Sequence, residues 1–217
     1  GDLATLDSKV DQAGGGSINM NTVVKLTGTL TEAQTFITTK DNFTNNSNVV
    51  DIDLSGTIGD AAAVDTLSTD IRALSGGTAE INLTGVTAIS GTFAQLETII
   101  DDSGAVGSNS KFSGVAAQAL TEDSGGTISV ANANKLSGAT TGKVTATITT
   151  GSLATLNGLS AAAQPANGDA FALTLNDTSV DAGDLATLDS KVDQAGGGSI
   201  NMNTVVKLTG TLTEAQT

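Results

Sequence analysis

Residues 49–77 read VVDIDLSGTIGDAAAVDTLSTDIRALSGG, and the two halves of that stretch obey different periods. In VVDIDLSG, Val50, Ile52 and Leu54 alternate with Asp51 and Asp53, so a strand here buries one row and wets the other. In the second half Val64, Leu67, Ile71 and Leu74 fall at helical spacing. Asp60 stands where an N-cap belongs, and Gly76 with Gly77 supplies a stop. One short stretch therefore spells a half-buried strand, a corner and an amphipathic helix.

The same phrase recurs along the chain. Ile81 and Leu83 alternate with Glu80 and Asn82, and Val144, Ala146 and Ile148 with Thr145 and Thr147; Phe171, Leu173 and Leu175 continue the inner row. Helical stripes return at Leu3, Leu6 and Val10, at Phe93, Leu96 and Ile100, and at Leu153, Leu156 and Leu159. Thr31 with Gln34 and Thr92 with Gln95 have capping-box spacing, and Asp2, Ser152 and Asp184 suit an N-cap or first turn. The strand-to-helix junctions KLTG, DLSG, NLTG, KFSG and ITTG end at Gly28, Gly56, Gly85, Gly114 and Gly151, and KLTG returns at Gly210.

A longer period encloses this one. Residues 1–35 and 183–217 are identical, an offset of 182, so residues 1–182 form one full period and residues 183–217 open the next. Splitting the long gap between Gly114 and Gly151 in two gives about seven coils of roughly 26 residues, the size of solenoid repeats. Strand and helix in steady alternation imply parallel pairing with right-handed crossovers. The expected fold is α/β: an elongated β/α solenoid with a parallel sheet and short helices on one side, ahead of a globular doubly wound domain. On this reading the native chain continues past Thr217 as FITTKDNF, supplying Phe36, Ile37 and Phe43 anew, and is preceded by something like LNDTSVDA.

Composition excludes several function classes. Apolar residues make up 38% of the chain but aromatics only 2%, so thin layers of Ala, Val, Leu and Ile must form the interior. There are 26 glycines for corners and one proline, Pro165. The net charge of −14 argues against nucleic acid or an anionic membrane surface as partner. No stretch has the length of a membrane span, so insertion of this segment is not expected. The chain contains no Cys, His, Trp or Tyr, which removes disulfides, thiol nucleophiles, the usual general base and the usual zinc ligands. No enzyme activity is expected, and no catalytic, cofactor-binding or metal-ligating residue is assigned.

The remaining chemical signals each have a plain structural reading. Ser108 and Lys111 match S-x-x-K, without the companion motifs that a serine acyltransferase needs. Asp51 with Asp53, Asp101 with Asp102 and Glu122 with Asp123 are carboxylate pairs, and Asp51 with Asp53 on one strand face reads most simply as a solvated face. Calcium enters as a candidate through the oxygen-rich segments NDTSVDAGD and KDNFTNNSN, although the G-G-x-G-x-D nonapeptide is absent. Thr145, Thr147 and Thr149 have the T-x-T spacing of some ice-binding solenoids. Asn42, Asn45, Asn82 and Asn176 begin glycosylation sequons.

The phrases ISVANANKLSGATTGKVTATITTGSLATLNGLS and TLNDTSVDAGDLATLDSKV, with the LTGT turn that follows, resemble tandem repeats of giant cell-surface proteins of marine and other aquatic bacteria. Those of the swimming unicellular marine cyanobacteria are the nearest likeness. The resemblance implies export to the cell surface, many tandem copies, and a structural role linked to motility or adhesion. It brings no functional residues. The partners expected are neighbouring repeats of the same chain, with end-to-end or lateral self-association. The alternative function is a ligand-binding solenoid adhesin that recognises glycan, ice or calcium through an exposed face.

Overall fold

A computed structural model describes residues 16–39, 43–44, 48, 51–103, 110–160, 169–192 and 196–211. The chain divides into two compact units: residues 1–89 with 97–115, and residues 90–96 with 116–217. Six α-helices lie among the described residues, and the ladders within each unit are parallel. The protein is α/β, and neither unit closes into a barrel.

In the first unit β2 (Lys25–Gly28) pairs with β4 (Asp51–Ile58), β4 with β5 (Glu80–Gly91), and β5 with β6 (Phe112–Ser113). The register sets Leu26 beside Ile52, Ile52 beside Ile81, and Ile81 beside Phe112. Ile52, Ile81 and Phe112 are fully buried, so alternation placed the inner row correctly, and Leu54 and Leu83 extend it. A second, short ladder joins β1 (Ile18–Asn19) to β3 (Phe43–Thr44). Helix α1 (Leu30–Thr38) packs on β2 and β4 and against α2 (Ala61–Leu74). Val64, Leu67 and Ile71 of α2 are buried as its stripe requires.

Helix α3 (Phe93–Ser103) buries Leu96 and Ile99, whereas the sequence stripe pointed to Ile100. Both i+3 and i+4 lie on the face of Leu96, and the packing selects i+3. A 3-10 turn spans Val115–Ala117.

In the second unit β7 (Ala119–Glu122), β8 (Val144–Thr147), β9 (Ala170–Thr174) and β11 (Ser199–Asn201) pair in that order. β10 (Ser179–Asp181) pairs with β12 (Lys207–Thr209). Leu120, Val144, Ala146, Phe171, Leu173, Leu175 and Val180 form its buried row. Helix α4 (Val130–Ala139) packs on β8, α5 (Leu153–Leu156) on α6 (Ala182–Asp189), and α6 on β10.

Helix starts follow local chemistry. Asp60 accepts from the Ala62 and Ala63 N–H groups, Ser152 from Thr155, and Thr92 with Gln95 closes a reciprocal box. The box on α1 is formed by Thr29 and Glu32, two residues before the expected Thr31 and Gln34. Both frames carry the motif spacing, and only the earlier one places Ala33 and Phe36 inward from a first turn beginning at Leu30. Asp184 lies in the first turn of α6, and the cap itself is Asp181.

The junction glycines do not stack. Gly28 faces Leu54, Gly85 faces Ser55 across a bulge, and the Cβ of an alanine at Gly114 would meet Thr84.

Candidate functional site

Strand parity decides which groups reach solvent, and the outward row of the first unit is polar at every step. Thr27, Asp53, Asn82 and Ser113 stand beside one another in register. Lys25 Nζ lies 2.8 Å from Asp53 Oδ2, and Asn82 Nδ2 donates to Asp53 Oδ1 at 3.2 Å. Asp53 therefore links three neighbouring strands, β2, β4 and β5. Asn82, in its sequon, is held by that bond and by accepting from the Thr84 N–H.

Lys111 is tied in the same way. Its Nζ lies 2.8 Å from Asp102 Oδ2 and 3.7 Å from Asp65 Oδ1, and the bond to Asp102 holds its ammonium above the usual lysine range. Two carboxylates, on α2 and α3, thus engage the lysine of the S-x-x-K match. Ser108 lies outside the described residues.

Three further carboxylates serve the backbone. Glu122 accepts from the Ser124 N–H, Asp177 from the Leu153 N–H, and Asp181 from Gly183 and Asp184. Asp177 and Asp181, two of the three acids of NDTSVDAGD, are spent on helix starts, and Asp184 lies in the first turn of α6. Most of KDNFTNNSN, with the sequons at Asn42 and Asn45, lies outside the described residues. Among the described residues no cluster of three acidic side chains is arranged to hold a metal ion. Asn176, the fourth sequon, is exposed just after β9.

Thr145 and Thr147 are exposed on one face as their spacing predicts. Thr121 of β7 stands beside Thr145 on one side, and on the other Ala170 stands beside Thr145 and Ala172 beside Thr147, so the threonine row ends at β9. Thr149 turns its hydroxyl to Thr127 and to the Ile128 carbonyl.

The group that sequence reading missed is Asp169. It is wholly buried, accepts from Ser137 Oγ at 2.6 Å and from the Val144 N–H at 2.9 Å, and so ties α4 to β8. Burial raises its pKa above the ordinary carboxylate value, with the two hydrogen bonds and Lys143 opposing. A signal was present: the inner parity of Phe171, Leu173 and Leu175, extended back by two, lands on Asp169.

A cavity of about 490 Å³ opens in the first unit, lined by Met20, Leu26, Ala33, Phe36, Phe43 and Ile52 with Lys25 and Thr39 among its polar atoms. Phe36 and Phe43 meet with ring centroids 5.4 Å apart. No nucleophile and base converge on it. Met20 is 1% exposed there, whereas its identical counterpart Met202 in the second unit is 42% exposed.

Fold and side chains together define an α/β protein with parallel strands, several of whose charged groups are engaged in helix caps and ion pairs. No family model, curated protein or solved structure matches the chain. Among the described residues, no helix is long and apolar enough to cross a membrane.

Proposed function

We propose that the chain is a structural repeat segment of a giant exported cell-surface protein, an elongated β/α solenoid of about seven coils per 182-residue period. It acts as a spacer or fibre element and carries out no catalysis. The observation that supports this best is the parallel register advancing by one strand-helix unit at a time while the outward residues change. Leu26 leads to Ile52, Ile81 and Phe112 in the first unit, and Leu120 to Val144 and Leu173 to Ile200 in the second. Outward, Lys25, Asp51 and Glu80 succeed one another, and in the second unit Thr145 gives way to Ala170. A ligand-binding array repeats its outward chemistry, and a spacer has no need to. The surface setting rests on the resemblance of the repeat phrases.

Two measurements test the reading. Small-angle scattering on a chain of two tandem periods should give a maximum dimension roughly twice that of one period. A compact α/β domain instead grows by only about 1.3-fold on doubling, and that outcome would overturn the solenoid. Antibody raised against the chain should label intact cells of the source organism and lose its target when those cells are shaved with protease. Labelling only after permeabilisation would overturn the surface assignment.

A further inference from the structure

Asn157 and Gly158 stand at the exit of α5 in the second unit and are clamped from both sides. The Asn157 N–H donates to the Leu153 carbonyl at 2.8 Å and the Gly158 N–H to the Thr155 carbonyl at 3.0 Å, so the pair closes the helix. On the α6 side, Asn157 Nδ2 donates to the Asp184 carbonyl at 3.1 Å, and Lys191 Nζ donates to the Asn157 carbonyl. On the α4 side, Asn134 Nδ2 donates to the Gly158 carbonyl at 2.9 Å, and Asn134 Oδ1 accepts from the Ser160 N–H at 2.7 Å. Asn157 Oδ1 is enclosed with no hydrogen-bond partner among the described residues.

Each residue has a structural reason to be there. Asparagine supplies the donor that meets α6, and a Cβ at position 158 would stand 3.0 Å from the Thr155 carbonyl oxygen. Together they are a chemical liability, because a glycine amide, with no Cβ to shield it, can approach the preceding asparagine side chain closely.

We propose that Asn157 is a deamidation site latched by α6: inert while α6 is docked, converted when α6 lifts, and unable to take α6 back afterwards. In the reaction the Gly158 nitrogen gives up its proton to solvent and bonds to Asn157 Cγ, and Nδ2 leaves as ammonia. Water then opens the cyclic imide at either carbonyl, giving aspartate or isoaspartate. Closing the ring needs ψ at Asn157 near about −120°, where the following nitrogen lies on the Cβ side. The observed ψ is −10°, and the helix-end and α6 contacts hold it there. The ring-closing angle falls outside the regions ordinarily open to an L residue, so those contacts must break before it is reached. Gly158 itself is exposed, so solvent has access once they do. Conversion removes the Nδ2 donor and sets a carboxylate against the Asp184 carbonyl oxygen. Isoaspartate also adds a methylene to the main chain inside the turn. Either product loses its hold on α6.

The test uses the full 217-residue protein, with conversion followed by peptide mapping at mildly alkaline pH. In strong guanidinium chloride Asn157 should convert alongside Asn167, which also precedes a glycine and lies outside the described residues. In buffer Asn157 should convert at least about tenfold more slowly than in the denatured chain. Equal rates in the two conditions would overturn the latch, and no conversion in denaturant would overturn the chemistry. Across a series of sub-denaturing guanidinium concentrations, conversion of Asn157 should rise in step with hydrogen exchange at the α6 amides. A conversion rate indifferent to α6 exchange would contradict the assignment of α6 as the gate. Asn157→Asp supplies one product directly, and its α6 amides should exchange about tenfold faster than the parent's or more. Unchanged exchange there would overturn the one-way step. These contacts lie within the second unit, so the result is independent of the cell-surface reading.

Discussion

Asp169 places a carboxylate in the buried row of Phe171, Leu173 and Leu175, and its two donors decide what replacing it costs. Asparagine keeps an acceptor for the Val144 N–H and lets Ser137 reverse its bond, so Asp169→Asn should fold with near-normal stability at neutral pH. Asp169→Ala strands both donors and should be less stable than Asp169→Asn by about 1–3 kcal/mol in urea unfolding. The pH dependence follows from the raised folded-state pKa. The folded protein holds the Asp169 proton more tightly than the unfolded chain does. That contribution is fully present below 3.8, the ordinary value, and is lost as pH rises through the folded-state pKa. The parent should therefore gain on Asp169→Asn as pH falls through that window, and a constant difference would refute the burial argument. On the first unit's ladder, Ile81→Asp should cost about 3 kcal/mol or more through a buried unpaired charge. Asn82→Asp should cost about 0.5–1 kcal/mol, because it removes the bond to Asp53 and sets like charges side by side; added salt should shrink that loss. Matching costs at the two positions would refute the register.

Elements were legible where local chemistry decides and not where packing chooses among equals. Asp60, Ser152 and the Thr92–Gln95 box could be read directly, since a cap needs only its own neighbours. Thr29 against Thr31, and Ile99 against Ile100, each offered two frames of equal local merit, and the core settled them. Parity places Asp169 in the buried row, but its role could not be read from sequence, because its donors on α4 and β8 are brought to it only by the fold. Gly56 and Gly85, read from sequence as strand-to-helix junctions, instead lie inside β4 and β5, whose following helices begin at Ala61 and Phe93, because both strands run on past a bulge between them. Gly56 and Gly114 both adopt left-handed backbone, at φ of +86° and +77°. Gly56 has open space around it, whereas a side chain at Gly114 runs into Thr84. Gly56→Ala should cost about 1 kcal/mol from conformation alone, and Gly114→Ala measurably more. Thermal unfolding of the pair checks this, and equal losses would remove the close approach.

At the scale of the molecule, charge dominates what solution conditions can do. A net charge of −14 opposes compaction, so sodium chloride should raise the melting temperature by screening. Calcium chloride at matched ionic strength should add little beyond that, because Asp177 and Asp181, two of the three acids of NDTSVDAGD, are engaged by backbone N–H groups. A large, saturable rise with calcium that chelator reverses would establish a site that the described residues do not form. The α/β class and the duplicated opening could both be read from the sequence, because periodicity and identity are properties of the string. Which side of the duplicated segment is covered could not, because the same letters sit in two environments.

That last point has an analytical use. The chain's two methionines, Met20 and Met202, sit at the same place in identical surroundings of sequence, so a protease releases them in peptides of one mass. Met20 is shielded and Met202 open to solvent. Mild peroxide should therefore convert that single mass to sulfoxide only halfway before it stalls. An event that covers Met202 while Met20 stays shielded should pull the plateau down toward zero, whereas one that covers Met202 by freeing Met20 should leave it at one half, so the fraction oxidised tells the two apart.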